Sequence, residues 1–338
     1  MPPLSFTRRA ALTGLLSGAS ATLIGSSAAP TGAAAMKRSW LSGAGDPQPS
    51  HVSGGGFGTW RGEASTYARI WADATLPDMT NVWMMDSYKA SGWNGTLDIA
   101  CGGPRDGHTW QSAAAGGMDT TWRTACRSIR AKWGKLAQVH LSMAHEMNGD
   151  WYPWSVHSGN VTDFKKAWQR WYAIVQSELV AKGKDALVCL NMNADTATDV
   201  SVVDMVPDAR SVDILGVDFY SMWPDIDDED EWAIQATVRS LDGSPRGVQA
   251  WFDYAKSLAK PISVPEWGVN PSSRSDNPFF IKKMNSVFSA HSGLLPKCPG
   301  AGQLAGEAYF NDLDNCRLWP STNVPRAAAA YRALSWGK

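Results

Sequence analysis

Short apolar runs of strand length alternate with stretches of helical spacing along most of this chain. That alternation limits the fold more than any other feature. Strand-like runs are read at 55–60, 80–85, 96–101, 138–146, 186–193, 212–220, 261–267 and 304–310. Between several of them the apolar residues follow a helical period: Trp122, Cys126, Ile129 and Trp133; then Phe164 through Leu179; then Val248, Trp251, Phe252, Ala255 and Leu258; then Phe280, Met284, Val287 and Phe288. Strands alternating with helices form parallel units, and eight such units close a barrel. The expected fold is α/β, a single (β/α)8 TIM barrel over residues 55–338. An open, doubly wound sheet is the structural rival, but no glycine-rich turn follows a strand to support it.

The residues before the barrel read differently. Thr7-Arg8-Arg9 precedes a weakly apolar run from Ala10 to Ile24, followed by small residues up to Ala35. Paired arginines before such a run have the pattern of a twin-arginine export signal, expected over 1–35. The run is too short to span a bilayer. Ser, Gly and Pro at 36–54 suggest a linker. Export places the protein outside the cytoplasm, secreted or periplasmic, as a monomer with no membrane partner. There some of the five cysteines should pair. Cys298 with Cys316 is the first expectation and Cys101 with Cys126 the second, while Cys189, inside an apolar run, reads as a buried thiol.

Charge excludes one class of partner. The chain has 31 basic and 32 acidic residues, a formal charge of −1, so no basic face for nucleic acid is expected. Eighteen tryptophans exceed what a core of this size needs. Trp122, Trp133, Trp168, Trp171 and Trp251 sit at helical spacing and read as core. Trp151, Tyr152, Trp154, Trp223 and Trp267 follow strand ends in loop positions. Flat aromatic rings there suit the C–H faces of sugars.

Two carboxylates end strand-like runs. Glu146 lies in His145-Glu146-Met147-Asn148-Gly149-Asp150-Trp151, and Glu266 in Pro265-Glu266-Trp267-Gly268. By strand count they close the fourth and seventh strands, at the barrel end that carries active sites. Alternation within 138–146 turns His140, Ser142, Ala144 and Glu146 towards the axis. Two carboxyls facing one groove can divide glycosidic cleavage, one protonating the leaving oxygen and the other attacking the anomeric carbon. No zinc-binding, P-loop or nucleophile-elbow motif competes. The acidic run 225–231 could ligate calcium but lacks the spacing of an EF-hand, and a solvated loop is the better reading. No metal and no cofactor is expected.

These two strings, with Asp218-Phe219-Tyr220, resemble glycoside hydrolase family 26, best known for β-mannanases, with other members acting on β-1,3-xylan or mixed-linkage β-glucan. The resemblance implies a retaining glycosidase acting on a β-linked polysaccharide, with Glu146 as acid/base and Glu266 as nucleophile. It implies that His145 orients the reacting sugar, that Trp151 lines its site, and that Tyr220 hydrogen-bonds Glu266 with Asp218 beside it. Trp154, Trp267 and, on the last strand, Tyr309 are further candidate sugar contacts, Tyr309 sharing its parity with Glu307 and Asn311. Pro265, Trp267 and the acidic loop are unusual for the family and bear on the substrate. The rival enzyme reading is a related hydrolase of β-1,3-xylan, β-glucan or a bacterial exopolysaccharide. The rival from another class is a non-catalytic carbohydrate-binding barrel.

Overall fold

The computed structural model describes residues 39–222, 225–269, 276–312 and 316–337. The segment 1–35 and Trp223 therefore lie outside the described residues. Eight parallel strands form a closed barrel in sequence order: β1 Ser42–Gly45, β2 Tyr67–Ala72, β3 Thr96–Cys101, β4 Gln138–Met143, β5 Ala186–Asn193, β6 Ile214–Ser221, β7 Ile262–Val269 and β8 Leu304–Phe310. β1 pairs with β8 to complete the ring. The helices around it are α1 Ser50–Ser53, α2 Gly56–Arg61, α3 Leu76–Asn81, α4 Met85–Ser91, α5 Trp110–Ala114, α6 Asp119–Lys132, α7 Val161–Glu178, α8 Val202–Met205, α9 Glu229–Gln235, α10 Val248–Ser257, α11 Pro278–Ala290 and α12 Pro325–Arg332. Among the described residues, no helix is long and apolar enough to cross a membrane.

The apolar face of each strand meets the helices, as Val139, Leu141 and Met143 of β4 do. The interior face is polar to an unusual degree. Tyr67, Arg69, Asp98, His140, Ser142 and Asn191 are all buried there and bonded to one another across strands. Burial of such groups is tolerable only when their hydrogen bonds are made. The five tryptophans expected in the core are all buried.

Two expected strands are misplaced. Residues 56–61 are helical, and 80–85 covers the turn between α3 and α4. The first two strands are instead β1, inside the stretch expected as a linker, and β2. β1 is Ser-Gly-Ala-Gly because its inner face has no room. A Cβ on Gly43 would lie 1.7 Å from the Tyr67 carbonyl oxygen, and one on Gly45 would lie 2.7 Å from the Trp71 ring. A strand without side chains carries no hydrophobic pattern. In β2 the alternation is present, but Arg69 on the inner face reads as solvent-facing.

The expected disulfides are absent, since all five cysteines are free. Cys298 is exposed in a loop, whereas the buried Cys316 thiol donates to the Phe310 carbonyl oxygen at 2.9 Å. Cys101 and Cys126 lie in the layer between β3 and α6, where burial pushes both thiols upward and keeps them protonated. Cys189 is buried in the interior beside Ser263, as its apolar setting suggested.

Candidate active site

Glu146 reaches the groove by a tight turn rather than by strand alternation. β4 ends at Met143, and Ala144 and Glu146 both adopt left-handed backbone, at φ 51° and 53°. Non-glycine residues rarely hold this conformation, and neighbouring bonds fix it here. The Ala144 N–H donates to the Cys101 carbonyl at 2.8 Å, and the Glu146 N–H to the Asn191 carbonyl at 2.9 Å. Asn148 ties the turn to β5, donating to the Asn193 carbonyl and accepting from its N–H, each at 2.8 Å. Gly149 is required because a Cβ there would sit 2.4 Å from the Trp151 indole. That indole N–H donates to Glu146 Oε2 at 3.1 Å, while the Asn193 amide donates to Oε1 at 2.7 Å.

Glu266 arrives through a break in strand register. Between Ser263 and Trp267, β7 holds one residue more than β6 opposite it, and between Val264 and Trp267 one more than β8. The extra residue falls at Pro265-Glu266. Proline donates no ladder hydrogen bond, so a bulge is where a strand accommodates it. The bulge turns Glu266 to the axis and Trp267 outward. Glu266 Oε1 accepts from the Trp71 indole at 2.8 Å and from Arg69 at 3.3 Å, and Oε2 accepts from the Tyr220 hydroxyl at 3.1 Å. Three donors, one of them cationic, thus hold this carboxyl in place.

The two carboxyls are therefore differently dressed. Burial, followed by the Glu266 charge, pushes the Glu146 carboxyl up to about 7. The same causes hold Asp218 well above the usual carboxylate range and favour its neutral form. Asp73, one residue past β2, is raised to about 6 by burial and then by Glu266. An acid that keeps its proton near neutrality beside a second carboxyl held by three hydrogen-bond donors is the arrangement a two-carboxyl hydrolysis requires.

The remaining expected residues divide. His145 is buried, and its Nε2 lies 3.0 Å from the Tyr152 hydroxyl and 3.5 Å from Asp73. Burial lowers its affinity for a proton, so the ring is neutral. Trp151 is half-exposed at 51% and available as a platform. Trp154 is almost fully buried; it stacks on Tyr152 at 4.5 Å and donates to the His145 carbonyl. It lines the cavity that also holds Tyr152 and Glu266, with little of its ring exposed. Trp267 and Tyr309 are fully buried on the helix-facing side and do not reach the groove. Trp267 packs against Phe288 of α11 and donates to Glu307 at 2.6 Å, and the Tyr309 hydroxyl donates to the Cys316 carbonyl. Asn311 is likewise taken up in holding the backbone at Leu318 and Trp319. Glu307 and Tyr309 share one parity of β8, and it faces the helices; Phe310, of the other parity, lines the groove.

Two cavities meet at Phe310. One, about 450 Å³, is lined by Trp151, Asn193, Asp218 and Tyr220. The other, about 540 Å³, is lined by Trp71, Asp73, Trp83, Tyr152 and Glu266. Sequence reasoning missed Arg69, Trp71, Asp73 and Asn193. Alternation in β2 places Arg69 and Trp71 on one face, which was the available signal. In the acidic run, Asp227, Asp228 and Glu231 bring carboxylate oxygens within 4.8 Å of one another. Asp228 caps α9 by accepting from the Glu231 N–H at 2.9 Å, and acidic residues at a helix start are favourable without any ion.

Comparisons with known proteins agree with this geometry. The sequence model of Glycosyl hydrolase family 26 matches residues 136–240, a span that includes Glu146 and stops short of Glu266. No curated protein sequence matches. Among solved structures, GH26C from Muricauda sp. MAR_2010_75 is similar at TM-score 0.54 and 14% identity, covering 88% of this chain and 85% of that one. The modular endo-β-1,4-mannanase from Cellulomonas fimi gives 0.53 and 13%, covering 86% and 70%. The family 26 β-mannanase from Bacteroides ovatus gives 0.52 and 13%, covering 88% of each chain. At such identities the structural likeness speaks for the barrel alone. The family match on the Glu146 loop speaks for more: over residues 136–240 the chain is similar to glycosyl hydrolase family 26, a family of retaining, endo-acting enzymes, and this match supports a glycoside hydrolase.

Proposed function

We propose that the protein is an exported enzyme that hydrolyses a β-linked polysaccharide, a β-mannan in the first instance, by double displacement. The observation that carries the reading is the unequal pair. Glu146 is held protonated up to about pH 7, and Glu266 receives three hydrogen-bond donors. In the first step a Glu266 oxygen bonds to the anomeric carbon as the glycosidic bond breaks. The electron pair leaves with the aglycone oxygen, which takes the proton of Glu146. With Glu266 esterified, its charge no longer raises the proton affinity of Glu146. Glu146 then acts as base, taking a proton from the water that cleaves the ester. Retention in this scheme calls for a carboxyl separation of about 5–5.5 Å. Neutral His145, exposed Trp151 and the Asp73 carboxylate are suited to orienting sugar. The choice of mannan is supported by the mannanases among the similar structures, and export by Arg8-Arg9 and the apolar run that follows.

A polysaccharide panel with product sizing tests this, comparing wild type with Glu266→Ala. Shortened galactomannan chains from wild type and none from the variant are expected. Cleavage of β-1,3-xylan or β-glucan instead would move the substrate and keep the reaction. Binding without cleavage of any member would mean a carbohydrate-binding barrel and would overturn the enzyme reading.

A further inference from the structure

We infer that Asp98, on β3, is a positioning residue that serves as the standing counter-charge of Arg69, so that Glu266 can alternate between carboxylate and ester without leaving a buried guanidinium unpaired. The inference rests on the double-displacement reading above.

Arg69 and Asp98 are both completely buried. Arg69 Nη1 donates to Asp98 and, at 3.4 Å, to Ser142; Nη2 donates to Asn191 at 2.8 Å and to Glu266 at 3.3 Å. The cation thus has one carboxylate on each side. The second Asp98 oxygen accepts from the Tyr67 hydroxyl at 2.8 Å. Every other titratable group facing Asp98 is neutral near pH 7. His140, with Nδ1 at 3.9 Å, is lowered to about 4 by burial. Burial raises Tyr67, Cys101 and Cys189. Among the described residues, the Asp98–Arg69 ion pair then stands among neutral groups in the lower interior. Glu146 faces Arg69, Glu266, Asp218, Tyr152 and Tyr220, of which Tyr152 and Tyr220 are held neutral by burial and nearby carboxylates.

The consequence follows from charge accounting. When Glu266 attacks, it passes from anion to neutral ester while Glu146 passes from acid to anion. Arg69 loses its partner on that side and keeps Asp98. A buried ion without a partner is strongly unfavourable, so a fixed partner makes the ester state accessible. In the resting enzyme Asp98 also damps the field of Arg69. Undamped, that field would draw Glu266 towards a weaker nucleophile and make Glu146 lose its proton too early.

The test is the 13Cδ titration of Glu146 in the full chain without substrate, with the resonance assigned by Glu146→Gln. In Asp98→Asn the Glu146 midpoint should fall by about one unit, the size expected for an opposite charge at short range. The alkaline limb of kcat/KM on galactomannan should move with it. In Arg69→Met/Asp98→Asn, which removes the cation together with its standing partner and leaves Glu266 its Trp71 and Tyr220 donors, the midpoint should return to the wild-type value. A wild-type midpoint in folded Asp98→Asn would overturn the inference. So would a double variant displaced from wild type by a unit, and that outcome decides the matter if Asp98→Asn alone does not fold. The titration needs no turnover. Failure of every polysaccharide in the panel would therefore count against the hydrolase reading and leave this result standing on its own.

Discussion

Glu146 and Glu266 have the same functional group, and their surroundings separate them. Glu146 takes hydrogen bonds only from neutral donors, an amide and an indole, and sits in the field of a second carboxylate. The sign of the pH effect follows. A general acid must hold its proton, so kcat/KM should be maintained up to about pH 7 and fall above it as Glu146 ionises. A pH profile extending flat to pH 9 would contradict that role. Glu146→Ala should lose on the order of 10²–10⁴ in rate on polysaccharide, and much less on a dinitrophenyl glycoside, whose leaving group needs no proton. Equal losses on both substrates would argue against proton donation. Both glutamates were legible in the sequence as carboxylates ending apolar runs between aromatics. Arg69 and Asp98 were not, because a polar residue alternating with apolar ones looks the same whether it faces solvent or the interior of a barrel.

At the scale of elements, the legible strands were those with ordinary side chains. β3, β5 and β8 stand where their apolar runs end. β1 was hidden by its glycines, and Gly43→Ala tests the reason. The added methyl meets the Tyr67 backbone, which cannot move without disturbing β2. A loss of about 1–3 kcal/mol or more is expected from such overpacking, measurable by urea unfolding; an unchanged midpoint would mean that β1 has slack. β7 carries a different lesson. The oddity of Pro265 and Trp267 was visible, but its meaning depended on a one-residue bulge that only pairing with β6 and β8 reveals. The bulge sends Trp267 into the helix layer, where its N–H meets the buried Glu307, which burial raises to about 7. A carboxyl whose folded-state value is raised stabilises the fold fully below its unfolded value of about 4.5 and loses that contribution as pH rises through about 7. Glu307→Gln should flatten the decline in stability between those values. An equally steep decline in the variant would assign it to another group.

For the whole molecule, closure of eight strands is what brings β2, β4 and β7 to one mouth. Trp71, Glu146 and Glu266 are distant in sequence, yet Trp71 and Glu266 share a hydrogen bond. The count of strands before Glu146 and Glu266 held although two strand positions were wrong, because two missed strands replaced two false ones. The central claim is that Glu146 and Glu266 act on one glycosidic bond as acid and nucleophile. It is tested most directly by 1H NMR of the first product formed from a β-1,4-mannan oligosaccharide, before mutarotation. The account predicts the β anomer, formed through two inversions at the same carbon. The α anomer appearing first would mean direct attack by water, and Glu266 would not be the nucleophile.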